Sequence, residues 1–339
     1  MKTTISDVAA RAGVSIKTVS RVVNEEANVA KTTRERVMLA ARELRYRPNL
    51  AARGLASSRS YLIALIYDNP SPSYLSNLQR GAVEACRGHG HHLVLEPMSL
   101  QDAHCDASEA LLRRLSVDGV VVAPPLSDAP ALRAALERLD LPFVLVAPGK
   151  AQSGRAVTIA DSKAAAEMTR HLIALGHTDI AFIEGPESHT SSALRRAGFA
   201  FAMREAGLDP DIWQCPKGDF TFSSGVDAAT AILSGSHDRP TAIFASNDDM
   251  AAGVMQVAAR LGLSVPTDLS VCGFDDTPVA RFVWPALTTV SQPIRDMGDL
   301  AVRMLIGEED LRRQRICKVN FELVLRDSTA GPAVKAKPC

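Results

Sequence analysis

The chain has 339 residues, 46% of them hydrophobic, which is too long for one ordinary domain and enough for a large buried core. Its net charge is zero, yet residues 1–60 contain 12 basic and 5 acidic residues, so a basic segment precedes an acidic remainder, as expected for contact with a polyanion. No apolar run approaches the roughly 18 residues of a membrane-spanning helix, and no apolar stretch follows Met1, so we expect a cytoplasmic protein with no membrane partner.

The first part of the basic segment predicts two short helices joined by a tight turn. Thr4 is placed to cap the first helix, and Gly13 ends it because glycine tolerates the left-handed conformation. Ser15 caps the second helix. This arrangement is typical of a helix-turn-helix, whose second helix enters the major groove of DNA. Lys17 and Arg21 on that helix can donate to guanine acceptors or to phosphates.

A third helix is expected to support this pair. Thr32 and Glu35, three residues apart, predict a capping box at its start, and Val37, Ala40 and Leu44 recur at helical spacing. The alternative is a three-helix bundle with a purely structural role, which the excess of positive charge disfavours.

From residue 61 onward, short β-branched runs alternate with amphipathic stretches rich in Ala, Leu and Arg. Eight predicted strands run from Tyr61–Tyr67 to Leu269–Phe274, and predicted helices such as Leu75–Arg87 and Met250–Leu261 lie between most of them. This alternation is typical of an α/β fold with parallel sheets covered by helices on both faces. About 270 residues favour two lobes. Because ligands of such sheets bind beyond the carboxyl ends of the strands, we expect the polar loops that follow the strands to form a binding site.

Two runs of sequence resemble the headpiece and hinge of the lactose/galactose repressor family of transcriptional regulators. They extend from Ile5 to Asn24 and from Leu44 to Leu55. The resemblance implies an operator-binding protein that acts as a dimer. The candidate DNA contacts are Thr4, Ser15, Ile16, Lys17, Thr18, Arg21, Asn24, Asn28, Tyr46, Asn49, Ala52 and Leu55.

The resemblance also implies that the second run holds a hinge helix that folds on the operator, where Leu55 wedges the central base step. Pro48 ends the preceding helix and Asn49 caps a new segment that is too short to be helical alone in water. Gly54 weakens this segment by about 1 kcal/mol relative to Ala. Ala30 is a second departure, because the family usually has a capping Ser there. An ordinary linker with a buried Leu is the alternative.

The resemblance further implies that the core is similar to periplasmic sugar-binding proteins, with doubly wound parallel sheets in two lobes that the chain crosses three times. We predict a helix-turn-helix headpiece at 1–47, a hinge at 48–59, a core at 60–330 and a flexible tail at 331–339. The first lobe is expected at about 61–160 and 290–320, and the second at about 161–289 and 321–328.

A sugar offers hydroxyls and apolar ring faces, so its site should supply carboxylates, amides, a guanidinium and an aromatic side chain. By position in the matched motifs, Arg195 and Asp275 are the leading candidates, since a guanidinium can bind two adjacent oxygens and a carboxylate can accept from two hydroxyls. The full set of candidates is Tyr74, His189, Ser191, Arg195, Phe220, Asn247, Asp275 and Gln292. Trp284 is suited either to stacking on a ring or to the core.

Several of these polar residues have a plain structural alternative. Asp248 and Asp276 are suited to capping helices or bracing loops, and His189 to a surface loop, while Arg196 is expected to pair with an acid on the outside. The family often has Asp or Asn directly after the Pro142–Ala147 strand, where this chain has Ala147 and Pro148. The identity of the sugar therefore stays open.

We predict a sequence-specific repressor of carbohydrate-utilisation genes that binds palindromic operator DNA as a homodimer and responds to a mono- or disaccharide. Induction and co-repression both remain open, as do purines and phosphosugars, which serve some similar proteins. Enzymatic function is not expected, since the chain has no nucleophile elbow, Walker loop or Rossmann glycine fingerprint. No cofactor or metal is expected, because the six cysteines follow no metal-binding spacing. A free sugar-binding protein is the other alternative, and it would not need residues 1–60.

Overall fold

A computed structural model of the chain describes residues 3–23, 29–46, 59–104, 106–149, 154–213, 216–234, 239–311 and 313–333. The chain divides into two compact units, Met1–Tyr61 and Leu62–Cys339. Within the described ranges, no helix is long and apolar enough to cross a membrane. The thiols of Cys86, Cys272 and Cys317 are free.

The first unit contains three helices, α1 (Ile5–Ala12), α2 (Ile16–Val23) and α3 (Lys31–Glu43). The predicted caps of the first two helices are confirmed. The Thr4 hydroxyl accepts from the Asp7 amide, and the Asp7 carboxylate accepts from the Thr4 amide at 2.8 Å. Gly13 ends α1 in the left-handed conformation at φ +61°, and the Ser15 hydroxyl accepts from the amide of Thr18.

The predicted capping box of the third helix is wrong. The helix begins at Lys31 after Ala30, which has no side-chain hydrogen bond to offer, so Thr32 lies inside the first turn. Packing sets this register, because Val37 and Ala40 must face the buried valines of α1 and α2. Tertiary packing therefore overrides the local capping preference of the threonine.

The second unit has two sheets. In chain order, its strands are β1 (Leu62–Tyr67), β2 (His92–Pro97), β3 (Gly119–Val122), β4 (Phe143–Val146), β5 (Arg155–Thr158), β6 (Ile180–Ile183), β7 (Ala242–Ala245), β8 (Ser270–Asp275), β9 (Thr288–Ser291), β10 (Ile316–Lys318) and β11 (Glu322–Val324). The first sheet has the order β10-β5-β4-β3-β1-β2 with parallel pairing. The second has the order β11-β9-β8-β7-β6, parallel except for β11.

Helices cover these sheets. They are α4 (Pro72–Gly88), α5 (Asp106–Leu115), α6 (Pro130–Arg138), α7 (Asp161–Ala174), α8 (Thr190–Glu205), α9 (Phe222–Leu233), α10 (Asp248–Arg260), α11 (Val279–Phe282) and α12 (Ile294–Ile306). The central strands β3, β7 and β8 are buried along their whole length, as expected for parallel sheets between helical layers. The predicted α/β class is confirmed, and the eight predicted strands are present within two residues at each end.

The chain crosses between the lobes three times. The first crossing follows β5 and the third lies between β10 and β11. The second comes slightly later than predicted, because Ser291 still pairs with Asp275 of the second sheet, so residues 290 and 291 belong to the second lobe. After that crossing, α12 packs against α4 of the first lobe.

The α4–α12 contact brings two helix backbones together through glycine. A Cβ atom on Gly81 would overlap the carbonyl oxygen of Arg295, and one on Gly298 would overlap the carbonyl oxygen of Leu78. The two helices therefore move as one body, since neither can shift without breaking this close packing.

We expect Gly81→Ala to lower the free energy of unfolding by about 1–3 kcal/mol, because the added methyl group forces the two helices apart. Gly88→Ala is the matched control, since it lies in the same helix and a Cβ there meets nothing within 4 Å. That substitution should leave stability unchanged or raise it by up to about 1 kcal/mol. Urea unfolding measures both, and equal effects would contradict the packing described.

Candidate functional site

A cavity of about 30 Å³ lies between the two lobes, at the carboxyl ends of their strands. It is much smaller than typical small-molecule sites of roughly 300–1,000 Å³, so the lobes must part to admit a ligand. All eight residues proposed from the sequence line it, namely Tyr74, His189, Ser191, Arg195, Phe220, Asn247, Asp275 and Gln292. Five further residues that were not predicted also line it, namely Asn69, Ser71, Pro124, Ala147 and Asp161. That these residues bind a ligand stays a prediction.

Arg195 of α8 lines the cavity and is only 5% exposed. Its Nε donates to Asp161 Oδ1 at 2.9 Å, and its Nη1 donates to the carbonyl oxygen of Ser246 at 2.6 Å. Nη1 also lies 3.6 Å from Asp275 Oδ1. The guanidinium carbon lies 3.6 Å from the centre of the Phe274 ring, a cation–π distance. Two hydrogen bonds, a nearby carboxylate and an aromatic ring therefore hold the guanidinium in place.

Asp275 is the last residue of β8, and its backbone has a left-handed φ of +117°. Burial raises the pKa of its carboxyl group to about 7, and the charge of Arg195 and a hydrogen bond from Gln292 oppose this shift. The neighbouring carboxylates of Asp249 and Asp161 raise the pKa further. A ligand that donates a hydrogen bond to Asp275 would therefore favour its ionised form.

Arg195 and Asp275 of the second lobe contact the two segments in which the chain first and second crosses between the lobes. Asp161, held by Arg195, begins α7 directly after the first crossing. Gln292, held by Asp275, follows β9 at the second crossing. A ligand bound to Arg195 and Asp275 would thus contact the groups that hold both crossing segments.

Asp161 was missed by the sequence analysis. In sequence it looks like an acid in the first turn of a helix, a common position favoured by the helix dipole. Its pairing with Arg195, 34 residues later, is a tertiary contact that no local pattern indicates. Burial raises its pKa, and the contact with Arg195 opposes that shift.

The aromatic ring of Phe220 lines one side of the cavity, and Asn247 hydrogen-bonds to the backbone of this residue. The phenylalanine has a left-handed φ of +68°, and its carbonyl oxygen accepts from Asn247 Nδ2 at 2.9 Å. Asn247 Oδ1 accepts from the amide of Met250 and so caps α10. The side-chain oxygen and nitrogen of Asn247 each make one hydrogen bond within the protein. Asn247 therefore holds Phe220 in position as well as lining the cavity. His189 packs edge-on against the Phe220 ring, with the ring centres 5.1 Å apart.

Two polar atoms of the lining are buried with no hydrogen-bond partner among the described residues: Tyr74 Oη in the first lobe and His189 Nε2 in the second. Burial raises the pKa of Tyr74, so it remains a phenol. Burial and the charge of Arg195 lower the pKa of His189 to about 4, so its imidazole is neutral at pH 7. Buried polar groups are normally satisfied, so both atoms are suited to bonding a polar ligand.

Three other expectations from the sequence have clear outcomes. Asp248 braces loops, as the structural alternative proposed, since it accepts from the amide of Thr277 and the hydroxyl of Thr289. Arg196 pairs with the exposed Asp211, as expected. Both interpretations of Trp284 are wrong, because its side chain is 89% exposed in a surface segment outside the cavity.

In the headpiece, α2 has one buried face and one exposed face. Val19 and Val22 are buried, while Ile16, Lys17 and Arg21 are exposed. This places three of the proposed DNA contacts on the surface of the second helix, as a DNA-reading helix requires.

Three other proposed DNA contacts already make contacts inside the headpiece. Thr4 is engaged in the capping box, and Thr18 bonds to the cap residue Ser15. Tyr46 is half-buried against the headpiece core, and burial raises its pKa. Ser15 is exposed and caps α2. The other five proposed contacts lie outside the described residues, as does most of the hinge, namely Asn24, Asn28, Asn49, Ala52 and Leu55.

Comparison with known proteins identifies both parts of the chain. Residues 4–49 match the model of bacterial regulatory proteins of the lacI family, and residues 169–329 match a periplasmic binding protein-like domain. The chain is 35% identical to the HTH-type transcriptional regulator DegA of Bacillus subtilis, over 97% of this chain and 99% of that one. It is 37% identical to the HTH-type transcriptional repressor PurR of Salmonella newport, over 97% and 98%.

Two solved structures extend the comparison to three dimensions. The lac repressor dimer bound to operator and the anti-inducer ONPF is 30% identical, with a TM-score of 0.83, over 97% of this chain and all of that one. The transcriptional regulator CelR in complex with cellobiose is 29% identical, with a TM-score of 0.70, over 96% of this chain and all of that one.

Asp275→Asn tests the electrostatics of the cavity. Because the carboxyl pKa is raised from 3.8 to about 7, the folded chain holds a proton that the unfolded chain releases, so stability falls as the pH rises through this window. Asn cannot ionise, so the thermal stability of the variant relative to the natural chain should rise between about pH 4 and pH 7 and level off above that range. Exposed Asp227, changed to Asn, is the control and should show no such trend. A constant difference at all pH values would contradict the assignment.

Proposed function

Since this chain belongs to the lacI family of bacterial regulatory proteins and is a DNA-binding transcriptional regulator, we propose that it represses carbohydrate-utilisation genes under the control of a sugar-like effector. The observation that carries the effector proposal is the buried Arg195–Asp161–Asp275 cluster in the cavity between the lobes. It offers a guanidinium and two carboxylates at one point, which suits vicinal hydroxyls.

The charge and shape of the cavity favour an uncharged polyol. Two carboxyl groups lie beside one guanidinium, and the imidazole of His189 is neutral, so a phosphate or carboxylate on the ligand would find no excess of positive charge to pair with. Phe220 offers an apolar face for a sugar ring, and the phenol of Tyr74 offers a further hydrogen bond. The similarity to a regulator solved with cellobiose supports the same class of ligand.

The headpiece is proposed to read the operator through α2, with Lys17 and Arg21 contacting bases or phosphates. The hinge segment that includes Leu55 is proposed to enter the minor groove, as the family resemblance implies. An effector that bridges the lobes changes operator affinity only if it binds the DNA-competent and the released conformations with different affinities. The size of the change is set by that difference in effector affinity. Induction and co-repression are both compatible with this linkage.

Self-association is proposed to use an exposed aromatic surface on the second lobe, formed by Phe282 and Trp284, which are 83% and 89% exposed. Leu261, at the end of α10, is also exposed. Large exposed apolar side chains mark interaction sites, and palindromic operators require two headpieces. The similarity to a lac repressor dimer supports this partner.

Arg195→Ala is expected to abolish the response to effector and retain operator binding, because the guanidinium lies in the core unit while α2 lies in the headpiece. Binding is measured as the thermal shift caused by the sugar that most stabilises the natural chain, and by gel shift on the chain's own promoter region. Arg196→Ala is the neighbouring control, since Arg196 pairs with Asp211 at the surface. Loss of operator binding with an intact thermal shift would contradict the assignment.

Trp284→Ala is expected to weaken the dimer by at least about tenfold in dissociation constant, because aromatic anchors dominate interface energies. Analytical ultracentrifugation across a dilution series measures the effect. Phe201→Ala is the matched control, since Phe201 is also an exposed aromatic residue of the second lobe but lies on α8. Equal weakening by both variants, or by neither, would place the dimer surface elsewhere.

A further inference from the structure

Ser71 and Asp249 join the two lobes directly. Ser71 lies at the N-cap of α4 in the first lobe, and Asp249 lies in the first turn of α10 in the second. The Ser71 hydroxyl donates to Asp249 Oδ2 at 2.7 Å, and Ser71 is almost completely buried. A hydrogen bond to a carboxylate is stronger than one between neutral groups.

The position of this bond strengthens it. Asp249 Oδ2 lies beside the amino end of α4, where the helix dipole favours a negative charge. Burial raises the pKa of Asp249, and the hydrogen bond from Ser71 opposes that shift, so the bond offsets part of the cost of burying the charge.

The same serine orients a side chain of the cavity. Ser71 Oγ accepts from the backbone amide of Tyr74 at 3.3 Å, and the Tyr74 hydroxyl is one of the two unpartnered polar atoms of the lining. Asp249 therefore positions the tyrosine through the first turn of α4. Because α4 is packed closely on α12, the bond to Asp249 connects both of these first-lobe helices to the second lobe.

A second interlobe contact provides an independent reporter of closure. A Cβ atom on Gly149 of the first lobe would lie 2.6 Å from Thr190 Cβ of the second lobe. A disulfide requires a Cβ–Cβ separation of about 3.8 Å, so this pair can link only after the lobes part slightly from the arrangement described here. Gly149→Cys with Thr190→Cys should therefore cross-link while the lobes stay close together and not when they open widely.

We propose that the Ser71–Asp249 hydrogen bond is a latch that holds the lobes closed over the cavity and positions Tyr74. The positioning role rests on the proposed effector site, whereas closure of the lobes is measured without any ligand. Failure of the latch is therefore distinguishable from failure of the proposed function.

The experiment places the Gly149→Cys and Thr190→Cys pair in the full chain and follows disulfide formation under mild oxidation, with the linked peptides identified by mass spectrometry. Adding Ser71→Ala or Asp249→Ala should slow cross-linking by about tenfold, as expected for loss of a hydrogen bond to a charged group. Asp249→Asn keeps an acceptor for the serine and should restore most of the rate. Asp227→Ala, an exposed acid on the same lobe, is the matched control and should leave the rate unchanged.

Equal rates with and without Ser71 and Asp249 would overturn the latch. If the cysteine pair does not cross-link, small-angle X-ray scattering of Ser71→Ala decides the matter, and a radius of gyration equal to that of the natural chain overturns the latch. If Asp249→Asn is as slow as Asp249→Ala, the negative charge holds the lobes together and the hydrogen bond does not. Circular dichroism of each variant confirms that the chain is folded before the rates are compared.

Discussion

The buried guanidinium of Arg195 is the interaction on which the second unit depends. It bonds to Asp161 at the first crossing and lies beside Asp275, which in turn holds Gln292 at the second crossing. A buried charge is tolerated only when it is paired. While Arg195 is paired in this way, the two crossing segments must therefore keep their positions relative to the second lobe. The place where a ligand would bind and the place where the lobes are joined are therefore the same group of atoms. This coincidence gives a small molecule a direct way to change the relation between the lobes.

The cavity lowers the stability of the fold through strained backbone conformations and buried charges in its lining. Three residues that line the cavity, Ala147, Phe220 and Asp275, have left-handed backbone conformations that side chains other than glycine rarely adopt. Two buried carboxylates, those of Asp161 and Asp275, lie beside one guanidinium, and burial raises the pKa of each. Strain and crowded charge of this kind persist where binding selects for them, since a chain optimised for stability alone would avoid both.

The sequence predicts the regular elements well and the tertiary contacts poorly. Thr4, Gly13 and the buried strands follow local rules of capping, backbone freedom and hydrophobicity, and the structure confirms them. The short strands β9, β10 and β11 were not predicted, and β10 pairs with β5, more than 150 residues earlier in the chain. The helix α12 was also missed, although its buried Ile294, Met297 and Ala301 recur at helical spacing. Asp161 was not predicted as a cavity residue, since only the folded chain brings it to Arg195. The eight proposed cavity residues came from a family resemblance, and their convergence on one cavity reflects a shared fold.

The central claim is that a ligand at Arg195 and Asp275 changes the affinity of the headpiece for DNA. It is tested most directly by measuring one coupling in both directions on the full chain. Operator affinity is determined with and without saturating sugar, and sugar affinity is determined with and without saturating operator. Linkage requires the two ratios to be equal, and we expect a factor between about 5 and 150. Ratios of one in both directions, for a sugar whose binding requires Arg195, would show that the cavity binds a ligand without controlling DNA.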